Sequence, residues 1–498
     1  MLLNVGLIVS QRAREYLGDE ILREIFNDGR LSYLAEYGDY IANDLRENSV
    51  QTLVVVYERE NKDIKEFLRN VDDLTGIHPL CVEEIYTEWF QTKDQAKALI
   101  LAYITKASLS ILSLRIQPVR AKNISRRSLL RGKLYYYKPY PILYQDINFE
   151  REINYLTSLC PLIIKTPEGP QVSDVEKCSA CGFCSGMSFL GYLEVPNFTT
   201  NQLVAFINSL SVYAPTDKVS VILISCKKLE KIPKIKEVYV YPLIAPCVAS
   251  IHDSFLTSMV AVGFYPVLYS PDYKCELKDM AKLRAESIIK KFPGSDIYFP
   301  YVEDERELIE FYEKIKGKTL ERGLVPEDVI LSRSRRRSLL LWSIEQMKNR
   351  TPLDENDEIQ GIYKVIVDPS KCVLCGVCVR SCQMLVFDMK SNGEVTNLYY
   401  DLSYCIGSQR CIRNCPENAI KLVGNIRIKE LGKKIIASNK IIKCRICGKP
   451  MDSSKIKSRV DEMLISMGLS EVVNYTDVCN ECKQKILTQK WIEKVLKK

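Results

Sequence analysis

The apolar positions near the start of the chain come in short unbroken runs. Residues 5–10 and 52–57 are almost wholly apolar or β-branched, the pattern of strands buried on both faces of a parallel sheet. Between them, the spacing around residues 18–47 predicts a long helical stretch, so residues 1–115 read as an α/β domain. The alternation returns over residues 216–320, where strand-like runs at 219–225, 238–244 and 265–268 are separated by helical stretches such as 277–291. That βαβ pattern predicts a second small parallel sheet. Further on, RRRSLLLWSIEQMKNR reads as a helix and LDENDEIQ as an acidic linker. The opening MLLNVGLIVSQRAREYLGDE has no basic region before its apolar run and reads as a first strand, not a signal peptide. Other apolar runs are cut by Lys97 and Lys106, or by Pro242, Pro246, His252 and Asp253, before reaching membrane-spanning length, so no transmembrane segment is expected.

The length of 498 residues, at roughly 150 per domain, suggests three to five domains. The formal charge of +8 counts every cysteine as neutral, and metal-bound thiolates would offset much of it, so nucleic-acid binding is not expected. The basic residues are unevenly spread: residues 115–138 hold eight Lys or Arg and no acid. Within them RRSLL at 126–130 recurs at 336–340, each time ahead of a cysteine cluster. The recurrence suggests two copies of a linker-plus-cysteine-cluster unit, with the basic segment docking on the chain's own acidic cluster surface. An internal position followed by polar, tyrosine-rich sequence argues against a twin-arginine export signal.

Nineteen cysteines, mostly in Cys-x2-Cys runs, point to metal ligation rather than a disulfide framework, and to a reducing cytoplasm. Seven lie within residues 371–420: Cys372, Cys375, Cys378 and Cys382 in the spacing Cys-x2-Cys-x2-Cys-x3-Cys, then Cys405, Cys411 and Cys415, the last followed by Pro416. This stretch resembles a bacterial-type ferredoxin, in which the fourth cysteine of each run ligates the other cluster. The resemblance implies a 4Fe-4S site from Cys372, Cys375, Cys378 and Cys415, and a second site from Cys382, Cys405 and Cys411. Ser408 stands where the second site's remaining cysteine is expected, which suits 3Fe-4S or a 4Fe-4S with a non-cysteine ligand. An earlier run, Cys178, Cys181 and Cys184, joins Cys160 (followed by Pro161) as a second 4Fe-4S site by the same rule. There Leu156 and Ser188 occupy the sister site's positions, so this segment resembles a ferredoxin that kept one cluster of two. Zinc is the alternative ligand for both runs.

Residues 241–287, from YPLIAPC to KLRAES, are similar to the delta subunit of methyl-viologen-reducing hydrogenases, a 2Fe-2S adaptor that delivers electrons to heterodisulfide reductase. That resemblance implies Cys226, Cys247 and Cys275 as candidate 2Fe-2S ligands, with Leu229 and Ser270 where others are expected; the alternative is a docking module that has lost its cluster. GIHPLCVEEIYTEW and DQAKALILAYITKAS resemble the N-terminal domain of the heterodisulfide-reductase flavin-bearing subunit family, of whose cysteines Cys81 alone is visible and reads as core. Finally, Cys444 and Cys447 with Gly448, and Cys479 with Cys482, form two knuckles that suit a tetrahedral four-thiolate zinc site, with rubredoxin-like iron as the alternative. A closed shell of this kind serves structure, because it leaves no position for substrate.

Two histidines, His78 and His252, leave little material for His-based zinc catalysis, and no Gly-rich phosphate loop is present. No catalytic residue is expected. The fold class expected is α/β and α+β multidomain. It comprises an α/β domain, remotely heterodisulfide-reductase-like, over 1–115, and a basic linker with a degenerate one-cluster ferredoxin-like domain over 116–200. An α/β domain resembling the hydrogenase delta subunit follows over 201–325, then a basic helix and acidic linker over 326–361. A two-cluster ferredoxin domain over 362–425 and a four-cysteine zinc-binding domain over 426–498 complete the chain. The function expected is a non-catalytic iron–sulfur subunit relaying single electrons to protein redox partners within a hydrogenase or heterodisulfide-reductase-like complex. Two other readings stand beside it: a redox enzyme acting at the open three-cysteine cluster, and a zinc-containing assembly or regulatory protein with degenerate clusters.

Overall fold

A computed structural model describes residues 2–28, 31–110, 116, 118–120, 135–144, 150–226, 229, 232–271, 278–292, 298, 300–331, 335–348, 354–359, 363–382, 384–402, 405 and 407–496. The chain divides into two compact units, Met1–Asp354 and Glu355–Lys498.

In the first unit, β1 (Val5–Val9), β2 (Leu31–Glu36), β3 (Thr52–Tyr57) and β4 (Val82–Tyr86) form a parallel sheet in the order β2-β1-β3-β4. Every residue of β1 and β3 is buried, as unbroken β-branched runs require when both faces are covered. The stretch 18–47 is not one long helical segment: helices Asp19–Asp28 and Ile41–Glu47 flank β2. As an edge strand, β2 is half-exposed and its sequence LSYLAE has no unbroken apolar run to signal it. Helix α1 (Lys93–Ala107) follows, capped by the Thr92 hydroxyl. Next come α2 (Glu150–Leu159), the hairpin Ile163–Lys165/Pro170–Val172, and the short helix α3 (Phe183–Met187), which frame the first cysteine run. The amphipathic α4 (Thr200–Tyr213) starts at a capping box between Thr199 and Gln202 and packs on α1.

A second parallel sheet is built from β5 (Val219–Ser225), β6 (Val238–Ile244), β7 (Tyr265–Tyr269) and β8 (Tyr301–Val302), ordered β6-β5-β7-β8. In both sheets the first strand lies between the second and third, so the two share one topology. Edge strand β6 is covered by side chains of the first half. Gln91 donates to Val238 O and accepts from Val240 N, both at 2.8 Å, and Gln95 donates to Val240 O at 2.8 Å. These amides satisfy the edge as a further strand would. Beyond β6, α5 (Asp253–Ala261) and α6 (Lys278–Lys291) complete the layer, and α7 (Arg335–Met347) packs on α5. The basic start of α7 is no surface segment: Arg335, Arg336 and Arg337 are buried, and Arg336 is 0% exposed. Its counterpart at 126–130 lies outside the described residues.

In the second unit, β9 (Lys364–Val367) opens the ferredoxin-like module, followed by α8 (Val377–Ser381), the hairpin β10 (Phe387–Ser391) and β11 (Val395–Asp401), α9 (Arg410–Arg413) and β12 (Ile420–Val423). β9 and β12 pair antiparallel. The C-terminal segment adds β13 (Lys433–Lys443) and β14 (Pro450–Ser453), extending the hairpin into a sheet ordered β10-β11-β13-β14. Helices α10 (Ser454–Ser466) and α11 (Asn480–Leu496) follow. Among the described residues no helix is long and apolar enough to cross a membrane.

Candidate metal centres

The two cysteine runs of the second unit meet crosswise. Cys372, Cys375, Cys378 and Cys415 line one hollow, walled by apolar Val367, Met389, Leu398 and Ile420. Cys382, Cys405 and Cys411 line another, with Gly407, Ser408 and Gln409. Helices α8 and α9, which carry Cys378 and Cys411, pack together. The Cys411 thiol is pushed up to about 12 by burial, and further by Cys405, Cys382 and Cys378. The Cys378 thiol rises to about 12 by burial and by Cys372 and Cys375.

The loops that carry these thiols share one backbone shape. Leu374 and Gly376 flank Cys375 with φ of +63° and +71°, and Ala180 and Gly182 flank Cys181 with +54° and +66°. Around Ser408, Gly407 and Gln409 adopt +68° and +62°, so the serine loop keeps the turn of the cysteine loops. A left-handed residue other than glycine costs about 1–2 kcal/mol. Such alternating turns aim successive N–H groups into a concavity for anions, which is the environment cluster sulfides and thiolates need. Nothing in the residue types Leu374, Ala180 or Gln409 signals this conformation.

In the first unit Cys160, Cys178, Cys181 and Cys184 stand together: burial pushes the Cys184 thiol up to about 12, and Cys181, Cys160 and Cys178 push it further. Cys184 and Cys160 pack with Leu156, Ile163 and Leu193. Thiols crowded in this way become thiolates only beside a compensating cation, and together with the N–H turns they fit an iron–sulfur group. The carbonyls at the end of α3 are tied down by arginines: Arg336 donates to Ser185 O and, at 2.9 Å, to Ser188 O, while Arg284 donates to Gly186 O at 2.9 Å. Ser188 donates to Glu152 Oε1 at 2.6 Å and accepts from Tyr192 N at 2.9 Å. Glu152 belongs to no motif and Arg336 opens the recurring RRSLL, and only the fold brings the two here.

Of the central cysteines, Cys226 follows β5 directly and Cys247 lies just past β6, both at the C-terminal edge of the parallel sheet, where Ser270 also stands after β7. Cys247 is buried and its Sγ accepts from Ala249 N at 3.4 Å. Leu229 is buried, its carbonyl accepting from Trp89 Nε1 at 3.2 Å. Cys275 lies outside the described residues. The turn Val248–Ser250 is packed against α3, so this edge adjoins the Cys184 loop.

At the C-terminus the Sγ atoms of Cys444, Cys447, Cys479 and Cys482 all lie within 4.8 Å of one another, Cys447 and Cys479 at 3.6 Å. Four thiolates at about 2.3 Å from one metal stand roughly 3.8 Å apart, so the set fits tetrahedral ligation. Backbone N–H groups of Cys479 and Cys447 hold the Cys444 thiol down to about 6. Gly448, at φ +72°, turns the first knuckle, with its N–H on Cys444 O at 2.9 Å.

Residues 371–419 match the family of 4Fe-4S dicluster domains. An uncharacterized ferredoxin of Methanocaldococcus jannaschii is 37% identical over 59 residues, which are 11% of this chain and 74% of that protein. The chain belongs to the ferredoxin family. Its ferredoxin domain supports 4Fe-4S binding and an iron–sulfur electron-transfer role. The remaining ferredoxin-like features, in the first unit, lie outside the matched residues.

Proposed function

We propose that this ferredoxin-family chain is a non-catalytic relay subunit, passing single electrons between protein partners of a hydrogenase or heterodisulfide-reductase-like complex in a reducing cytoplasm. The observation that carries this reading is the crosswise meeting of two cysteine runs in two adjoining hollows, joined by packed helices bearing Cys378 and Cys411. In this reading Cys372, Cys375, Cys378 and Cys415 hold a 4Fe-4S cluster, and Cys160, Cys178, Cys181 and Cys184 hold another. Cys382, Cys405 and Cys411 hold a 3Fe-4S or atypical 4Fe-4S cluster, and the central Cys226, Cys247 and Cys275 are candidates for a 2Fe-2S site. Cys444, Cys447, Cys479 and Cys482 hold zinc and brace the C-terminal segment. The clusters supply one-electron chemistry, with potentials set by cluster type, hydrogen bonds to sulfur and burial. The chain's own part is to hold the thiolates, point N–H groups at them and keep water away with Val367, Met389, Leu398 and Ile420. The six domains expected from the sequence are part of this reading. Metal and acid-labile sulfide analysis of anaerobically purified protein tests it. Roughly eleven to twelve iron per chain are expected, with zinc retained at one per chain; near-zero iron overturns the proposal.

A further inference from the structure

Beside the cysteine set of the first unit, the place of a sister cluster is filled by a buried polar group of side chains. Arg336 Nη2 meets Glu194 Oε2 at 2.6 Å with both side chains 0% exposed. Thr200 accepts from Arg336 Nε at 2.9 Å and donates to Glu194 Oε1 at 2.7 Å. One arginine thus answers one carboxylate. The second carboxyl, Glu152, is equally buried, and among the described residues it accepts from neutral donors, the Ser188 hydroxyl at 2.6 Å and Leu190 N at 3.2 Å to its two oxygens. A buried carboxylate without its own cation is costly, so this group favours its protonated form. Burial pushes Glu152 up to about 8, against the opposing pull of Ser188, Leu190 and Arg336.

The elements packed around α2 set what else Glu152 experiences. α3 presents the Cys184 thiol, with Cys160 just after α2 itself. The hairpin presents Lys165, which is exposed, and α7 presents Arg336 with its neighbours Arg335 and Arg337. Leu156, on the turn of α2 after Glu152, shares one buried apolar cluster with Cys184. The cysteine site stands on the elements packed against α2, and its charge is the one that a redox change would vary.

We infer that Glu152 is a proton-binding site coupled to the redox state of the cluster at Cys160, Cys178, Cys181 and Cys184, so that in solution alkaline enough to ionise Glu152 this part of the chain takes up a proton with its electron. The inference rests on the cluster reading proposed above. The step balances: a one-electron donor protein reduces the cluster by one electron, and the Glu152 carboxylate takes one proton from water, forming an O–H bond; oxidation reverses both. One added charge across a few packed side chains raises the carboxylate's proton affinity roughly tenfold. Ser188 is a positioning residue, because its hydroxyl steadies the ionised carboxylate.

The test uses the full chain and follows the paramagnetic signal of the reduced cluster that Cys181→Ser abolishes. Its midpoint potential is expected to fall as pH rises through about 8, and reduction should bring up the infrared band of a protonated carboxyl. In Glu152→Gln the potential should become independent of pH and the band should vanish. In Ser188→Ala the sloping region should move to higher pH. If Glu152→Gln does not fold, the infrared difference of the native chain still decides. No cluster signal lost in Cys181→Ser overturns the cluster reading and this inference with it. A signal lost there, but a native potential flat across that range or a slope persisting in Glu152→Gln, overturns the proton site alone.

Discussion

Ser408 and Ser188 each occupy a position where a cluster-binding cysteine is expected, but their surroundings differ. At Ser408 the left-handed residues Gly407 and Gln409 keep the turn that Leu374 and Gly376 make around Cys375, and Cys382, Cys405 and Cys411 still face one hollow. At Ser188 the space is closed: its hydroxyl is spent on Glu152, Leu156 is fully buried against Cys184, and Arg336 bonds the Ser188 carbonyl. One serine shares an open cradle with three cysteines; the other is closed into polar core. A missing cysteine thus has two structural meanings, and the backbone and neighbours distinguish them.

Removing the group that fills the closed site has the largest effect. Arg336→Met leaves Glu194 buried without its cation, which costs about 3–5 kcal/mol, and the urea midpoint of the first unit should drop accordingly while the spectrum of the ferredoxin domain in the second unit persists. A small urea shift would mean the network is not what holds that region. Two equivalent glycines offer a finer contrast. Gly182 and Gly376 both have positive φ, but a Cβ on Gly182 would lie 2.6 Å from Ser250 Cβ, whereas one on Gly376 meets only flexible side-chain ends, the nearest Met389 Cε at 3.3 Å. Gly376→Ala should cost about 1–2 kcal/mol for its conformation, and Gly182→Ala about 1–3 kcal/mol more for overpacking. Equal urea midpoints for the two variants would mean that the Cys181 loop is packed no more tightly than the Cys375 loop.

What the sequence made legible follows from how local each signal is. Continuous β-branched runs announced β1, β3, β5 and β6, since strands buried on both faces need no partner to be recognised. Cysteine spacing was legible within each Cys-x2-Cys turn, because those turns are short and local. Edge strand β2 escaped because none of its residues is fully buried. The amides of Gln91 and Gln95 reach a strand almost 150 residues further on, and Arg336 reaches Ser188 across 148 residues. No local pattern encodes such distances, so the filled sister site and its buried Glu152 emerge only in the folded chain.

The most direct measurement compares Ser408→Cys with Ser188→Cys, each purified anaerobically and read by iron content and low-temperature paramagnetic resonance. Ser408→Cys should gain about one iron per chain and exchange a 3Fe-type signal for a 4Fe-type one, while Ser188→Cys should gain neither iron nor a new signal. An unchanged spectrum in Ser408→Cys, or a new cluster in Ser188→Cys, would contradict the account.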